Sequence, residues 1–512
     1  MPSGERRDET ARLRRSLGRG DLTAMGVGTM VGAGIFVTTG IAAAQEAGPA
    51  IVLSFALAGA VCVLVALCYA ELAAMVPVSG SAYTYTRHTL GPATGFLVGW
   101  TLLLEYVVAG AAVAIGWSGM LGAALDDLFG VALPRALTAG PTAEGGVVNL
   151  PAVLIVALTV LVLAGEVRFT ARVTKALVAL TVGVLVVVIA VGAPNVTADH
   201  WTPFAPFGLS GVIGGAALAF FAFLGFDVVA TSAEESRDPR RDLPFAIIVS
   251  ILVATGLYMA VSAVLTGVAP YPDLNNATPV ATAFEAVDAG WIGSVVLIAS
   301  VVALTKGLLM ILYGQTRLLF AMCRDGLLPP SLARTAPRTG APVRPAVLLG
   351  LLGALIAGFT SIEVVAELTN IGALFAFAAV CAGVLVLRRS EPGRERPFRT
   401  PLVPALPLAA LGGCALLAST LAGLTWLRFA AWLAAGLALY AAYGRTAPTR
   451  ARGARSPGTR PARDGSRPGA APSPVTPRRT GVEAPQPEAA VATPIRPGAG
   501  PSAPGPAPEE SR

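Results

Sequence analysis

Long apolar runs divide this chain, and the arginines between them fall on alternate sides. About 20 apolar residues in a row cross a bilayer. Runs of that order recur at roughly 22–43, 50–75, 92–121, 150–166, 173–192, 211–233, 244–268, 291–320, 345–359, 367–387, 405–422 and 425–443, the fourth and ninth being short. Arg6, Arg7, Arg12, Arg14, Arg15 and Arg19 precede the first run, and Arg87 follows the second. Arg168 and Arg172 follow the fourth, and Arg237, Arg240 and Arg241 the sixth. Arg324, Arg334, Arg338 and Arg344 follow the eighth; Arg388, Arg389, Arg394, Arg396 and Arg399 follow the tenth. The stretches 193–210 and 269–290 hold no Lys or Arg, and 124–149 holds only Arg135. Basic residues stay on the cytoplasmic side, and a miscounted topology would scramble this alternation. The sequence therefore predicts an all-α polytopic membrane protein of twelve transmembrane helices. It sits in the cytoplasmic membrane with both termini cytoplasmic.

Composition agrees. Only 13 % of residues are charged and the mean hydropathy is +0.69, against about 25 % charged in a soluble domain. The five cysteines (Cys62, Cys68, Cys323, Cys381 and Cys414) fall in or beside apolar runs without zinc-like spacing, so neither a metal site nor a disulfide framework is expected. No cleavable signal is visible. Residues 1–20 read as a basic cytoplasmic arm and 21–445 as the helical domain. From 446 to 512 the chain is rich in Pro, Ala, Gly and Arg without hydrophobic periodicity, as in "SPGTRPARDGSRPGAAPSP". Such a segment cannot bury enough surface to offset chain entropy and is expected to be a disordered, solvated cytoplasmic tail.

Two runs are interrupted. The first carries "GTMVGAGIFV", with Gly28, Gly32 and Gly34; the sixth carries "FFAFLGFDVVATSAEE", with Gly225 and Asp227 inside the apolar stretch. Runs one and six correspond if the first ten spans form two inverted five-span repeats. Broken segments at matching positions of two halves are the sequence pointer to a transport site. Unwound backbone at membrane depth is tolerated only where it lines a cavity or binds something. A half-helix starting after Gly34 offers N–H groups and a positive dipole end to a carboxylate. Asp227 is placed to cap the second half of span six through a backbone N–H, and free carbonyls there suit an ammonium group. The competing reading is helix packing, since Gly28, Gly32 and nearby small residues also form a small-xxx-small face. The matching break favours a site, with Gly28 left to packing and Gly32 and Gly34 forming the break.

These residues resemble the amino acid–polyamine–organocation superfamily, most closely its cationic amino acid transporter family. The resemblance covers roughly residues 16 to 443. It rests on "LTAMGVGTMVGAGIFVTTG", "ALCYAELAAMVPVSGSAYTYTR", "LLLEYVVAGAAVAIGWSGM", "AFFAFLGFDVVATSAEESRDPRRDLPFAI" and "YGQTRLLFAMCRDGLLP", in that order. It implies a five-plus-five inverted repeat with broken helices one and six, two further helices, and alternating access. It also implies that the substrate carboxylate meets the "GAG" backbone while its amine meets helix six near Phe223 to Phe226.

Ionisable groups at membrane depth are functional candidates. Glu105 lies roughly 20 Å along span three at about 1.5 Å per residue. It matches the resemblance in "LEY", where it would face the site; the alternative is a carboxylate hydrogen-bonded between helices. Glu71 and Glu234–Glu235, at span ends, are expected to pair with loop arginines. Lys306 lies roughly 22 Å into span eight, too deep for easy snorkelling, and is a candidate proton carrier. The resemblance places a lysine in helix five, where this chain has Thr181; Lys175, six residues earlier, is expected to snorkel. It also places a small hydroxyl residue where Lys306 stands. The reading is that the cation has moved to Lys306, facing span one, with Thr305 and Thr181 beside it. The alternative is a Lys306–Glu105 pair without a transport role.

An enzyme is not expected. "GWSG" (Gly116 to Gly119) matches a short intramembrane-protease motif, but its serine would need a histidine base at depth. The two histidines, His88 and His200, are predicted in loops on opposite sides. No nucleotide-binding or HExxH motif occurs, and nothing points to a cofactor, a metal or nucleic acid. The expectation is a secondary amino acid transporter in a lipid bilayer, with the proton as coupling ion or with exchange. Its substrate site comprises Val31, Gly32, Ala33, Gly34, Ile35, Phe223, Leu224, Gly225, Phe226, Asp227 and Glu105. An amine or polyamine exchanger and a non-transporting amino acid sensor are the alternatives.

Overall fold

A computed structural model of the chain describes residues 17–442, apart from 33, 77–80, 166–170, 232, 234–235, 277, 288–289 and 334–341. The expectations for the N-terminal arm before residue 17, for the tail from 446, and for Ala33, Arg168, Glu234, Glu235, Arg334 and Arg338 lie outside the described residues.

Backbone polar groups in hydrocarbon must be satisfied within their own segment, so apolar runs of this length become helices. Every run does. Span one is Arg19–Met30 followed, after a break, by a π-helical turn Gly34–Thr38, then Thr39–Ala42 and Ala43–Ala47. Spans two to five are Ile51–Met75, Pro92–Phe129, Leu150–Ala164 and Ala171–Gly192. Span six is Gly208–Ala219, a 3₁₀ turn Phe220–Phe223 and, past its own break, Val228–Thr231. Spans seven to twelve are Pro239–Val268, Gly290–Arg324, Val343–Phe359, Ile362–Ser390, Ala405–Ser419 and Gly423–Ala442. The described residues form no strand. Eight helical stretches are long and apolar enough to cross a membrane, and spans four, nine and eleven are shorter apolar helices.

Two local expectations change. Span three runs on to Phe129, past the predicted end at 121, and carries Asp126 and Asp127 as helical residues. "GAALDDLF" is made of acceptable helix formers, and the stop comes only at left-handed Gly130, whose N–H returns to Asp126 and Leu125 carbonyls. His88 is not in a loop but on a short helix, Ser81–Thr89.

Span two packs along span seven, three along eight, and four along nine, while the two broken spans meet at their breaks. Each partner is five spans further on, which is the pairing a five-plus-five repeat produces. Spans four, five, nine and twelve turn leucines outward, among them Leu158, Leu161, Leu180, Leu351 and Leu427, as lipid-facing helices must. Span twelve is fastened to span three by a stacked pair, Trp100 and Trp432, with centroids 4.4 Å apart. Each indole N–H donates to the other residue's carbonyl, at 2.9 and 3.0 Å. All five cysteines are free and buried.

One end of the bundle collects the basic loops. There Glu71, wholly buried, accepts from Arg388 Nε and Nη2 at 2.9 and 2.8 Å, from Arg396 Nε at 3.1 Å and from the Thr400 amide at 2.8 Å. This is the expected pairing with loop arginines, and it ties span two to the end of span ten. At the same end Arg19 bridges to Asp242 at 2.7 Å, and Lys175 bridges to Asp21 rather than merely reaching for solvent. Arg87 and Tyr83 both bond Asp325.

Candidate functional site

Span one stops being helical at Met30. Val31 turns to an extended backbone (ψ 99°) while its N–H still reaches the Val27 carbonyl. The second half-helix opens with the turn at Gly34. The Phe36 N–H returns to the Gly32 carbonyl at 3.3 Å, so the amides of the first turn that can suit a carboxylate are those ahead of it.

Span six breaks opposite it. Leu224 is extended and Gly225 has φ +108°, a conformation that L side chains rarely adopt. The two breaks are stapled twice. Thr29 Oγ1 donates to the Gly225 carbonyl at 2.9 Å. Gly34 lies so close to span six that a Cβ on it would fall 2.3 Å from Ala222 Cα. Gly34 therefore serves close packing as well as the break, which corrects its expected assignment. Gly32 fits the expected division, since a Cβ there would meet nothing nearer than 3.9 Å. So does Gly28, where a Cβ would sit 2.3 Å from Val178 Cγ2 of span five.

Other hydroxyls brace the breaks. Thr38 and Thr39 both donate to the Gly34 carbonyl, at 2.7 and 3.1 Å, and Tyr258 of span seven donates to the Ala222 carbonyl at 3.0 Å. Val31, Ile35, Phe223 and Phe226 are buried. Phe223 packs against Phe55 and Tyr258, and Phe226 against Tyr69 and Phe377. Thr29, Leu224 and Gly225 keep partial exposure at the break. Thr29, Tyr106 and Tyr258 were not singled out from the sequence. For Thr29 a signal exists: a hydroxyl one residue before the end of a broken half-helix can reach the other break, although here its one proton is shared with the Met25 and Gly26 carbonyls of its own helix at 3.0 and 2.9 Å.

Asp227 is wholly buried. As expected, its carboxylate faces backbone N–H groups where the second half of span six begins, those of Asp227 and Val228; in addition its Oδ2 accepts from Tyr106 of span three at 2.6 Å. Glu105, next to Tyr106, is 1 % exposed, and its Oε2 is unpartnered among the described residues. Glu105 is thus one residue from the tyrosine that holds Asp227. The Tyr85 hydroxyl has no partner among the described residues. No Lys or Arg among the described residues forms an ion pair with either acid. Two buried carboxylates without a cation form a place suited to a positive group, because an unpaired buried charge is costly.

Lys306 is not that cation. It is 3 % exposed, its Nζ has no hydrogen-bond partner among the described residues, and it lies against span one, 3.3 Å from where a Gly28 Cβ would stand. The alternative in which it pairs with Glu105 fails. Thr181 is buried one turn from Val178, on the face of span five that touches Gly28, and donates to the Leu177 carbonyl. Thr305 turns elsewhere: it donates to the Val301 carbonyl and accepts from Trp117 Nε1 of span three at 2.8 Å.

Residues 17–441 match the amino acid permease family. The chain is 42 % identical over 434 residues to the methylthioribose transporter of Bacillus subtilis (strain 168), an alignment covering 85 % of this chain and 94 % of that one. It is 43 % identical over 438 residues to a branched-chain amino acid permease of the same organism, with the same coverage. It is 38 % identical over 392 residues to cationic amino acid transporter 4 of Homo sapiens, covering 74 % of this chain and 61 % of that one.

Proposed function

Because this chain belongs to the amino acid permease family, we propose that it is a secondary transporter carrying amino acids across the cytoplasmic membrane by alternating access. The observation that carries this reading is the pair of facing breaks, joined by Thr29 and the Gly225 carbonyl. The substrate carboxylate takes the N–H groups around Gly32, Ala33, Gly34 and Ile35, at the positive end of a half-helix. Its ammonium group takes carbonyls of the Phe223–Gly225 turn and the field of Asp227 and Glu105, with Tyr106 holding Asp227 in place. The basic end faces the cytoplasm, in keeping with the placement of positive loops, and both termini lie there.

Coupling is assigned to Lys306, with Thr181 on the neighbouring face of span five. An unpaired amine against the first half of span one changes its contacts whenever that half-helix moves, so its protonation and the conformation are linked. Proton-coupled uptake and exchange are both served by such a link.

The test is counterflow in proteoliposomes with all amino acids, with and without a pH gradient. Saturable exchange of one or more amino acids is expected, and no response to any of them overturns the reading. Methylthioribose belongs in the same screen, because the relative 42 % identical carries that name. A thio-sugar has neither a carboxylate nor an ammonium group, so its exchange alone would assign the breaks to hydroxyl recognition. Saturable amino acid binding without flux would mark a sensor.

A further inference from the structure

Four of the buried, free cysteines gather on three neighbouring spans. Span two carries Cys62 and Cys68, span ten Cys381, and span eleven Cys414. Cys68 and Cys381 are wholly buried, and their thiols stand in hydrogen-bond contact with each other. Nothing in the permease reading uses them.

The helix faces that carry this pair touch on either side of it. Residues three or four apart share a face of a helix. Phe377, one turn before Cys381, packs its ring edge-on against Tyr69, with centroids 5.7 Å apart. Leu72, one turn after Cys68, lies 3.8 Å from where a Gly383 Cβ would stand. Further along the same two spans, Glu71 and Arg388 form the buried ion pair at 2.8 Å. Cys68 and Cys381 therefore sit in a seam between spans two and ten, with a ring contact before them and the clamp after them. Such a seam turns the two Cβ atoms toward each other, as a disulfide requires. The other two thiols belong to a different contact: a Cβ on Gly413, beside Cys414, would fall 2.8 Å from Val61 Cγ2, beside Cys62. Among the described residues no three His, Cys, Asp or Glu side chains are placed to hold a metal ion, so the chemistry open to the seam is that of a dithiol.

We infer that Cys68 and Cys381 are an oxidisable pair whose disulfide locks span two to span ten. In forming it, two S–H bonds break and one S–S bond forms. The two electrons and two protons released pass to a membrane-permeant two-electron acceptor, such as an azo compound, whose N=N bond becomes a hydrazine. Burial keeps bulky water-soluble reagents from the pair, so the acceptor must be small and able to enter the bilayer. Intracellular thiol pools reduce accessible disulfides by exchange, which makes the lock reversible. Alternating access requires packed helices to exchange contacts, and a covalent tie one turn from the Glu71 clamp holds spans two and ten as they stand. The stalling of transport rests on the permease reading; the disulfide itself does not.

The experiment uses the purified full-length protein in proteoliposomes, treated with the azo oxidant diamide and mapped by mass spectrometry without reduction. One linked pair, the peptides of Cys68 and Cys381, is expected together with loss of counterflow, and dithiothreitol should reverse both. Cys68→Ala and Cys381→Ala should each keep counterflow and resist diamide, whereas Cys62→Ala and Cys414→Ala should remain sensitive. No linked pair, a link through Cys62 or Cys414 instead, or a link that leaves counterflow intact overturns the inference. If the unoxidised protein exchanges nothing, the permease reading fails on its own. The lock is then read from the linked peptides and a raised unfolding midpoint, because a cross-link constrains the unfolded chain; an unshifted midpoint overturns it.

Discussion

Lys306 and the two glycines of the first break set the sharpest tests at the scale of single residues. Lys306 has no partner to lose, so replacing its charge should alter coupling more than folding. Lys306→Met is expected to fold and bind substrate, and to lose the pH dependence of uptake into proteoliposomes; pH-dependent uptake that survives unchanged removes the coupling role. Gly34 and Gly32 should separate cleanly. Gly34→Ala puts a methyl group 2.3 Å from the Ala222 backbone, and overpacking of that kind costs about 1–3 kcal/mol. A lowered unfolding midpoint and loss of uptake are expected. Gly32→Ala makes only an ordinary contact with Leu304 at 3.9 Å and should leave the midpoint in place while raising KM, because it favours continuing the helix through the amides that bind. Equal melting behaviour of the two variants would refute this division of labour.

Between helices, the buried Glu71 clamp is the strongest tie at the basic end. Glu71→Gln leaves Arg396, itself 2 % exposed, without its counter-charge. Breaking one partner of a buried pair costs about 3–5 kcal/mol, so thermal unfolding in detergent should show a marked fall; an unshifted midpoint would mean that the clamp contributes nothing. Much at this scale was legible in the sequence. The apolar runs located every span, because hydrocarbon leaves a helix no alternative, and the breaks at Gly32 and Gly225 were visible as glycines where none is needed for solubility. What was not legible depended on contact between distant segments. For Asp227 only the backbone cap was in view, because its second partner, Tyr106, lies 121 positions away. Thr305 was grouped with Lys306 by adjacency, yet neighbours on a helix point about 100° apart, and Thr305 faces Trp117. The end of span three was placed where its apolar run ends, at 121, whereas the helix stops only at Gly130.

For the whole molecule, the alternating-access reading proposed above takes the ties at the basic end, and at the other the cavity of about 230 Å³ between spans one, six and ten, as a state closed toward the basic loops and accessible from the far side. Orientation can be read directly. Ser210 lines the cavity and is exposed, so a membrane-impermeant maleimide should modify Ser210→Cys in intact cells. Modification only in inverted vesicles would reverse the topology. Excess transported substrate should slow that labelling if occupancy shifts the population away from the accessible state. The burial of all five native cysteines gives this chain an unplanned convenience: its own thiols are chemically silent toward aqueous reagents. A spin label, fluorophore or cross-linker placed by one substitution would report from that position alone, without first rebuilding the protein as a cysteine-free background.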